Sequence, residues 1–223
     1  MRALAFSGGK DSLACLFLLR DELDCAIYID TGYAYPETLD LVEFAARLMP
    51  MHIAHSDRRG QNDRVGLPAD VVPIDWTVPG QSMTSTKPVL VQSYLQCCYE
   101  NIARPLLDTA HALGVTHLVY GQRASESHRG TAHHGHIVEG ITRLHPIEDW
   151  TAQQVLDYLA LHMTVPAHFS LTHSSLDCYD CTAFTKESQD RLTWTQHAHP
   201  DYYAAYHRRE MALASCLKEA LHV

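Results

Sequence analysis

Basic residues are scarce in this chain: 17 Lys and Arg stand against 26 Asp and Glu, for a formal net charge of -9. Proteins that grip polyanions over a broad surface usually show a basic footprint, so a nucleic-acid substrate would need a local patch or a partner. Long apolar stretches are missing too. No window reaches the roughly 18 apolar residues that a membrane-spanning helix needs, and the apolar start Met1–Phe6 is too short for a signal peptide. Internal repeats and low-complexity tracts are also lacking. These absences lead to the expectation of a soluble, cytoplasmic protein with no membrane partner.

What is present is enough for one good core. The 223 residues are 46% hydrophobic and 19% charged, which favours one compact domain with a C-terminal elaboration. The 7 cysteines are an odd count and unevenly placed. Cys97 and Cys98 are adjacent, and Cys178 and Cys181 stand in C-x-x-C spacing, a pattern that suits metal binding better than a secreted disulfide framework. Cys15 and Cys25 read as core packing.

Along the chain, the apolar run 3–6 predicts a strand, Gly8-Gly9 a loop, and Asp11 to Arg20 a helix with Leu13, Leu16, Phe17 and Leu19 at helical spacing. Cys25 to Ile29 reads as a buried strand, Pro36 to Leu48 as a helix and Met51 to Ala54 as a third strand, a βαβαβ series that implies a parallel sheet. Residues 56–90 read as one long excursion and not as a second domain. A helix is expected over Gln92–Leu113 despite Pro105, strands over Thr116–Tyr120 and Ile137–Leu144, a helix capped by Thr151, and another over Asp201–Leu221. The resulting fold class is α/β, a doubly wound, mostly parallel sheet of about five strands. Residues 1–150 form the nucleotide-binding part, and residues 151–223 a C-terminal helical segment and cysteine loop packed on the same domain.

Ser7-Gly8-Gly9-Lys10-Asp11-Ser12 falls between strand and helix, where a helix N-terminus offers free amides and a positive dipole to an anion. The glycines let the backbone approach phosphate oxygens, Lys10 adds charge, the serine hydroxyls add donors, and Asp11 can help to hold Mg²⁺. A histidine group at 128, 133, 134 and 136 can bind metal or simply be solvated. Arg58, Arg59 and Arg64 can meet a phosphate or nucleic acid, or form a solvated face.

The loop Ser7–Ser12 resembles the signature of the PP-loop ATP pyrophosphatases, which adenylate a substrate by splitting ATP between the α and β phosphates. Asp30-Thr31-Gly32-Tyr33-Ala34-Tyr35-Pro36-Glu37-Thr38 is similar to a second signature, that of the phosphoadenylyl- and adenylyl-sulfate reductases. Gly121-Gln122-Arg123 with Glu126 and Arg129, the run His145–Thr151, and Ser175–Thr182 match that family further, in the right order. The resemblance places Thr31, Gly32 and Gly121 with the nucleotide. Asp30, at the C-terminal end of the second strand, can bind a ribose hydroxyl or Mg²⁺, while Arg123 and Arg129 can fork onto phosphate or sulfate oxygens.

Cys97-Cys98 with Cys178-x-x-Cys181 resembles the arrangement that ligates a 4Fe-4S cluster in the adenylyl-sulfate branch. Zinc on the same four thiolates is the structural alternative. Ile102 stands where the family pattern commonly has lysine. The resemblance also breaks. The family's tail carries an E-C-G-x-H nucleophile, whereas the candidate here, Cys216, has no glycine after it and sits in a helical stripe with Leu213, Leu217 and Leu221. The phosphate loop, degenerate in reductases, is intact here. Both departures favour ATP-using chemistry: adenylation with release of pyrophosphate and AMP, and transfer of sulfur from a donor protein to a nucleic acid or small acceptor. The alternatives are a reductase that releases sulfite with a thioredoxin-like reductant, and a non-catalytic nucleotide-binding module. A homo-oligomer is compatible with either.

Overall fold

Short apolar runs punctuated by polar turns build the sheet. In the computed structural model, which describes residues 1–85, 87–125, 133–172, 176–186 and 188–221, β1 (Arg2–Ala5), β2 (Cys25–Asp30) and β3 (Met51–His55) alternate with α1 (Lys10–Leu18) and α2 (Pro36–Ala46). The sheet runs β3-β2-β1 and continues through β6 (His117–Val119) and β8 (Ile141–Leu144) to β7 (Ile137–Val138). Every pairing is parallel except that of β7 with β8. The chain therefore winds outward from β1 to β3 and resumes on the other side of β1 at β6. That reversal leaves a crevice beyond the carboxyl ends of β1 and β6, where open α/β sheets place their ligands.

The chain divides into two units. The first, Met1–Asp30, Ala34–His55 and Pro105–Ser170, holds this sheet. One face packs Leu4, Leu13, Leu16, Tyr28 and Val119 against Val155 and Leu159 of α7 (Ala152–Ala160), and the other packs Ala3, Ile27 and Leu118 against Leu106, Leu107 and Ala110. β2 is apolar almost throughout because both of its faces are covered. Thr151 caps α7 in a full capping box with Gln154, as its sequence position predicts. Thr151→Ala is expected to cost about 1 kcal/mol in chemical denaturation, since it orphans an amide of the first turn.

The second unit comprises Thr31–Tyr33, Ser56–Arg104 and Leu171–Val223. Residues 56–90, read from sequence as a loop-like excursion, carry α3 (Arg58–Val65), β4 (Leu67–Ala69), a 3₁₀ turn (Ile74–Trp76) and α4 (Val78–Thr84). Side-chain caps, Asp57 on the Gly60 amide and Thr77 on the Gly80 amide, start these short helices, so apolar periodicity does not reveal them. β5 (Val91–Ser93) pairs in parallel with β4. α5 (Tyr94–Cys98), a π turn (Tyr99–Ala103) and α6 (Arg104–Ala112) form one continuous helical run, and the π turn shifts the backbone bonding just before Pro105, which lacks an N–H. α8 (His168–Leu171) belongs to the first unit up to Ser170, and α9 (Gln189–Ala198) and α10 (Pro200–Leu221) lie in the second. Ala69, Val91, Leu213 and Cys216 form a small core in this unit.

The sheet has six strands where five are expected because Ile137–Leu144 is a hairpin and not one strand. Its turn residues Glu139 and Gly140 both have positive φ, 52° and 78°, the twist that a two-residue hairpin turn requires.

Candidate functional site

The apolar strand β1 ends at Phe6, and the chain turns over Ser7–Gly9 into α1. Gly8 takes φ 73°, and a Cβ there would stand 2.7 Å from Thr38 Cγ2. Only glycine fits that turn comfortably. Gly9 is the N-cap of α1 and supplies no side-chain acceptor, so the helix opens with uncapped amides. The loop is braced from within: the Ser7 amide donates to Ser12 Oγ at 3.2 Å, and Ser12 Oγ donates to the Gly9 carbonyl at 3.0 Å.

Charges gather at this helix start. Asp11 lies between two cations, with Lys10 Nζ 3.2 Å from one carboxylate oxygen and Arg123 Nε 2.6 Å from the other. Arg123 is buried and also donates to Ser125 Oγ at 3.1 Å. It follows β6 through Gly121, whose missing side chain lets that segment lie against the α1 backbone: a Cβ at Gly121 would be 2.6 Å from Asp11 C. Asp30 ends β2 and meets His55 Nδ1 at 3.2 Å. Ser7, Gly8, Gly9, Lys10, Asp11, Ser12, Asp30, Gly121 and Arg123 all belong to the first unit, whereas Thr31 and Gly32 belong to the second. Arg129, Glu126 and His128 lie outside the described residues.

In the second unit Cys97, Cys98, Cys178 and Cys181 share one neighbourhood. Burial pushes the Cys98 thiol above its ordinary range, and charge on Cys181, Cys97 or Cys178 raises it further. The Cys178 thiol is pushed up to about 12, again chiefly by burial, against the lowering effect of Arg58. As free thiols, Cys98 and Cys178 stay neutral. Their sulfurs are nevertheless met by polar groups: Asn101 Nδ2 is 3.7 Å from Cys97 Sγ, and Thr31 Oγ1 is 3.8 Å from Cys178 Sγ. Among the described residues, no three His, Cys, Asp or Glu side chains converge on one point as around a single ion. His133 instead lies 3.1 Å from Glu148, with its ring edge-on to His136.

Residues 2–184 match the family model of the phosphoadenosine phosphosulfate reductase domain. The chain belongs to this family. Among solved structures, a phosphoadenylyl-sulfate reductase from Candida auris in complex with phosphate matches this family member with TM-score 0.54 and 18% identity, over 81% of this chain and 82% of that one, a likeness of fold. Weaker likenesses are FMN adenylyltransferase of Candida glabrata with ATP (TM-score 0.43, 15% identity, 71% of this chain and 45% of that one) and a predicted subunit of tRNA methyltransferase from Methanocaldococcus jannaschii (0.40, 16%, 91% and 90%). No curated protein matches the chain. Among the described residues, no helix is long and apolar enough to cross a membrane.

One placement within this family member departs from the sequence reading. Arg58 is not on a solvated face meeting a nucleic acid: it is 2% exposed and donates to Asp180 Oδ1 at 2.6 Å. Asp180, inside the C-x-x-C motif, is the residue that sequence reasoning passed over, and its position between the two cysteines was the available signal. Cys216 is 1% exposed in α10, packed with Ala69, Val91 and Leu213. Cys15 and Cys25 are buried, as expected.

Proposed function

We propose that this chain binds ATP or a related adenine nucleotide at Ser7–Ser12 and adenylates an acceptor, which a sulfur nucleophile then attacks. The observation that carries this reading is the uncapped start of α1 with Lys10 and Arg123 beside it, a built site for a polyphosphate. An acceptor oxygen attacks the α-phosphorus, the α–β bond breaks, and pyrophosphate leaves. The sulfur nucleophile then displaces AMP, which departs with that oxygen. The amides of α1 and the Ser7 and Ser12 hydroxyls hold the departing phosphates, while Lys10, Arg123 and, as proposed from its motif, Arg129 offset the charge that develops. Asp11, tied to Lys10 and Arg123, and Asp30 are the carboxylates that would hold Mg²⁺, which would offset phosphate charge. Gly121 borders the nucleotide in this reading.

Cys97, Cys98, Cys178 and Cys181 are assigned a 4Fe-4S cluster. The donor set fits by its chemistry: four thiols share one neighbourhood, and a cubane takes one thiolate on each iron. When bound, the group supplies one-electron chemistry and a soft, sulfur-rich centre. The second reading, favoured by the family itself, is sulfonucleotide reduction to sulfite. That reaction needs an accessible thiol, and Cys216 is packed inside the unit.

The test is anaerobic full-length protein given ATP and adenylyl sulfate in parallel, with product analysis. AMP and pyrophosphate from ATP support the adenylation reading; sulfite from adenylyl sulfate without ATP cleavage sinks it. Cys216→Ala is expected to leave ATP cleavage within about twofold of wild type, because its effect is confined to packing. Loss of sulfite formation from adenylyl sulfate in a folded Cys216→Ala protein would instead point to the reductase.

A further inference from the structure

Arg58 opens α3 from within the polar stretch Asp57-Arg58-Arg59-Gly60, yet its side chain is buried and held by two contacts. Its Nη1 donates to Asp180 Oδ1 at 2.6 Å, its guanidinium carbon lies 4.5 Å from the centre of the Tyr33 ring, and the other Asp180 oxygen is taken by Arg209. Arg209 is itself largely buried. Two buried arginines therefore share one carboxylate, which leaves positive charge over in the interior.

Uncompensated charge at such a place is costly, and a buried arginine with one partner is retained only if something else answers it. Arg58 Nη2 is a buried donor with no hydrogen-bond partner. Asp180, which fixes it, stands between Cys178 and Cys181, so the guanidinium lies against the loop that carries those two sulfurs. Neutral thiols cannot balance the excess cation; sulfur bearing negative charge can.

We propose that Arg58, held by Asp180 and Tyr33, is the fixed counter-cation of the four-cysteine group, a positioning residue that donates to cluster sulfur and favours the reduced state. This rests on the cluster reading given above. A cubane on four thiolates is anionic and becomes more so on reduction, and cluster potentials respond to net charge and to hydrogen bonds to sulfur. A fixed buried cation therefore raises the potential. Asp180 ties that cation to the loop carrying Cys178 and Cys181, so Arg58 links α3 to the cluster's ligand loop.

The test uses full-length wild type, R58K and R58Q, reconstituted anaerobically, with iron and sulfide quantified and the potential titrated. R58Q is expected to lower the reduced-to-oxidised ratio about tenfold at a fixed potential, about 59 mV for one electron, while R58K moves it less. Wild type without iron and sulfide overturns the cluster reading and this one with it. A loaded R58Q with the wild-type potential overturns the role of Arg58 alone. If R58Q does not fold, wild type labelled with heavy nitrogen at arginine decides: pulsed electron paramagnetic resonance of the reduced cluster is expected to show a nitrogen coupling, and its absence overturns the proposal.

Discussion

Replacing Gly121 with alanine is expected to lower ATP cleavage at least about a hundredfold in a protein that still folds. The residue follows β6, directly across from the first turn of α1. An added Cβ would stand 2.6 Å from Asp11 C, 2.6 Å from Ser12 N and 2.8 Å from Asp11 O. These are backbone atoms, so no rotamer change relieves the clash. Either α1 retreats, taking its amides from the phosphates, or the segment bearing Arg123 retreats and removes the guanidinium. A displacement near 1 Å in a site that works by positioning costs about a hundredfold. Circular dichroism establishes that the variant folds, and pyrophosphate release measures the loss; near-wild-type turnover in folded Gly121→Ala would mean that neither α1 nor Arg123 serves the reaction.

The same geometry explains how much could be read in advance. The strand–glycine loop–helix unit at 3–20 was legible because its signals are local: an apolar run stops at Gly8-Gly9 and helical spacing begins. β2 and α2 were legible for the same reason. The hairpin at 137–144 was not, since its two-residue turn is Glu139-Gly140, and glutamate gives little warning of positive φ. Arg58 was hidden for a different reason. Its neighbours are polar, as on a solvated surface, while the carboxylate that holds it lies 122 residues away in sequence. Burial of a charged group is decided by tertiary partners, which periodicity does not encode. The cysteine quartet was visible as spacing; its arginine was not.

Replacing Cys181 with serine is expected to reduce iron and sulfide to background in anaerobically reconstituted protein. A buried serine hydroxyl is a poor donor to iron beside three thiolates, and a cubane short of one strong ligand is readily lost. Cys15→Ser is the control: that thiol is fully buried too, but it belongs to the first unit, so the variant should lose stability and keep its iron. A further consequence follows from Arg58. Without a cluster, its charge and that of Arg209 share the carboxylate of Asp180 among the described residues, so the second unit should loosen as iron leaves. Limited proteolysis within 56–104 reads this out. Nucleotide binding, proposed at side chains of the first unit, should outlast the loss of iron. Zinc in place of iron and sulfide in the wild type would convert the quartet into a structural site and take the one-electron chemistry with it. Full iron in Cys181→Ser would remove that cysteine from the ligand set.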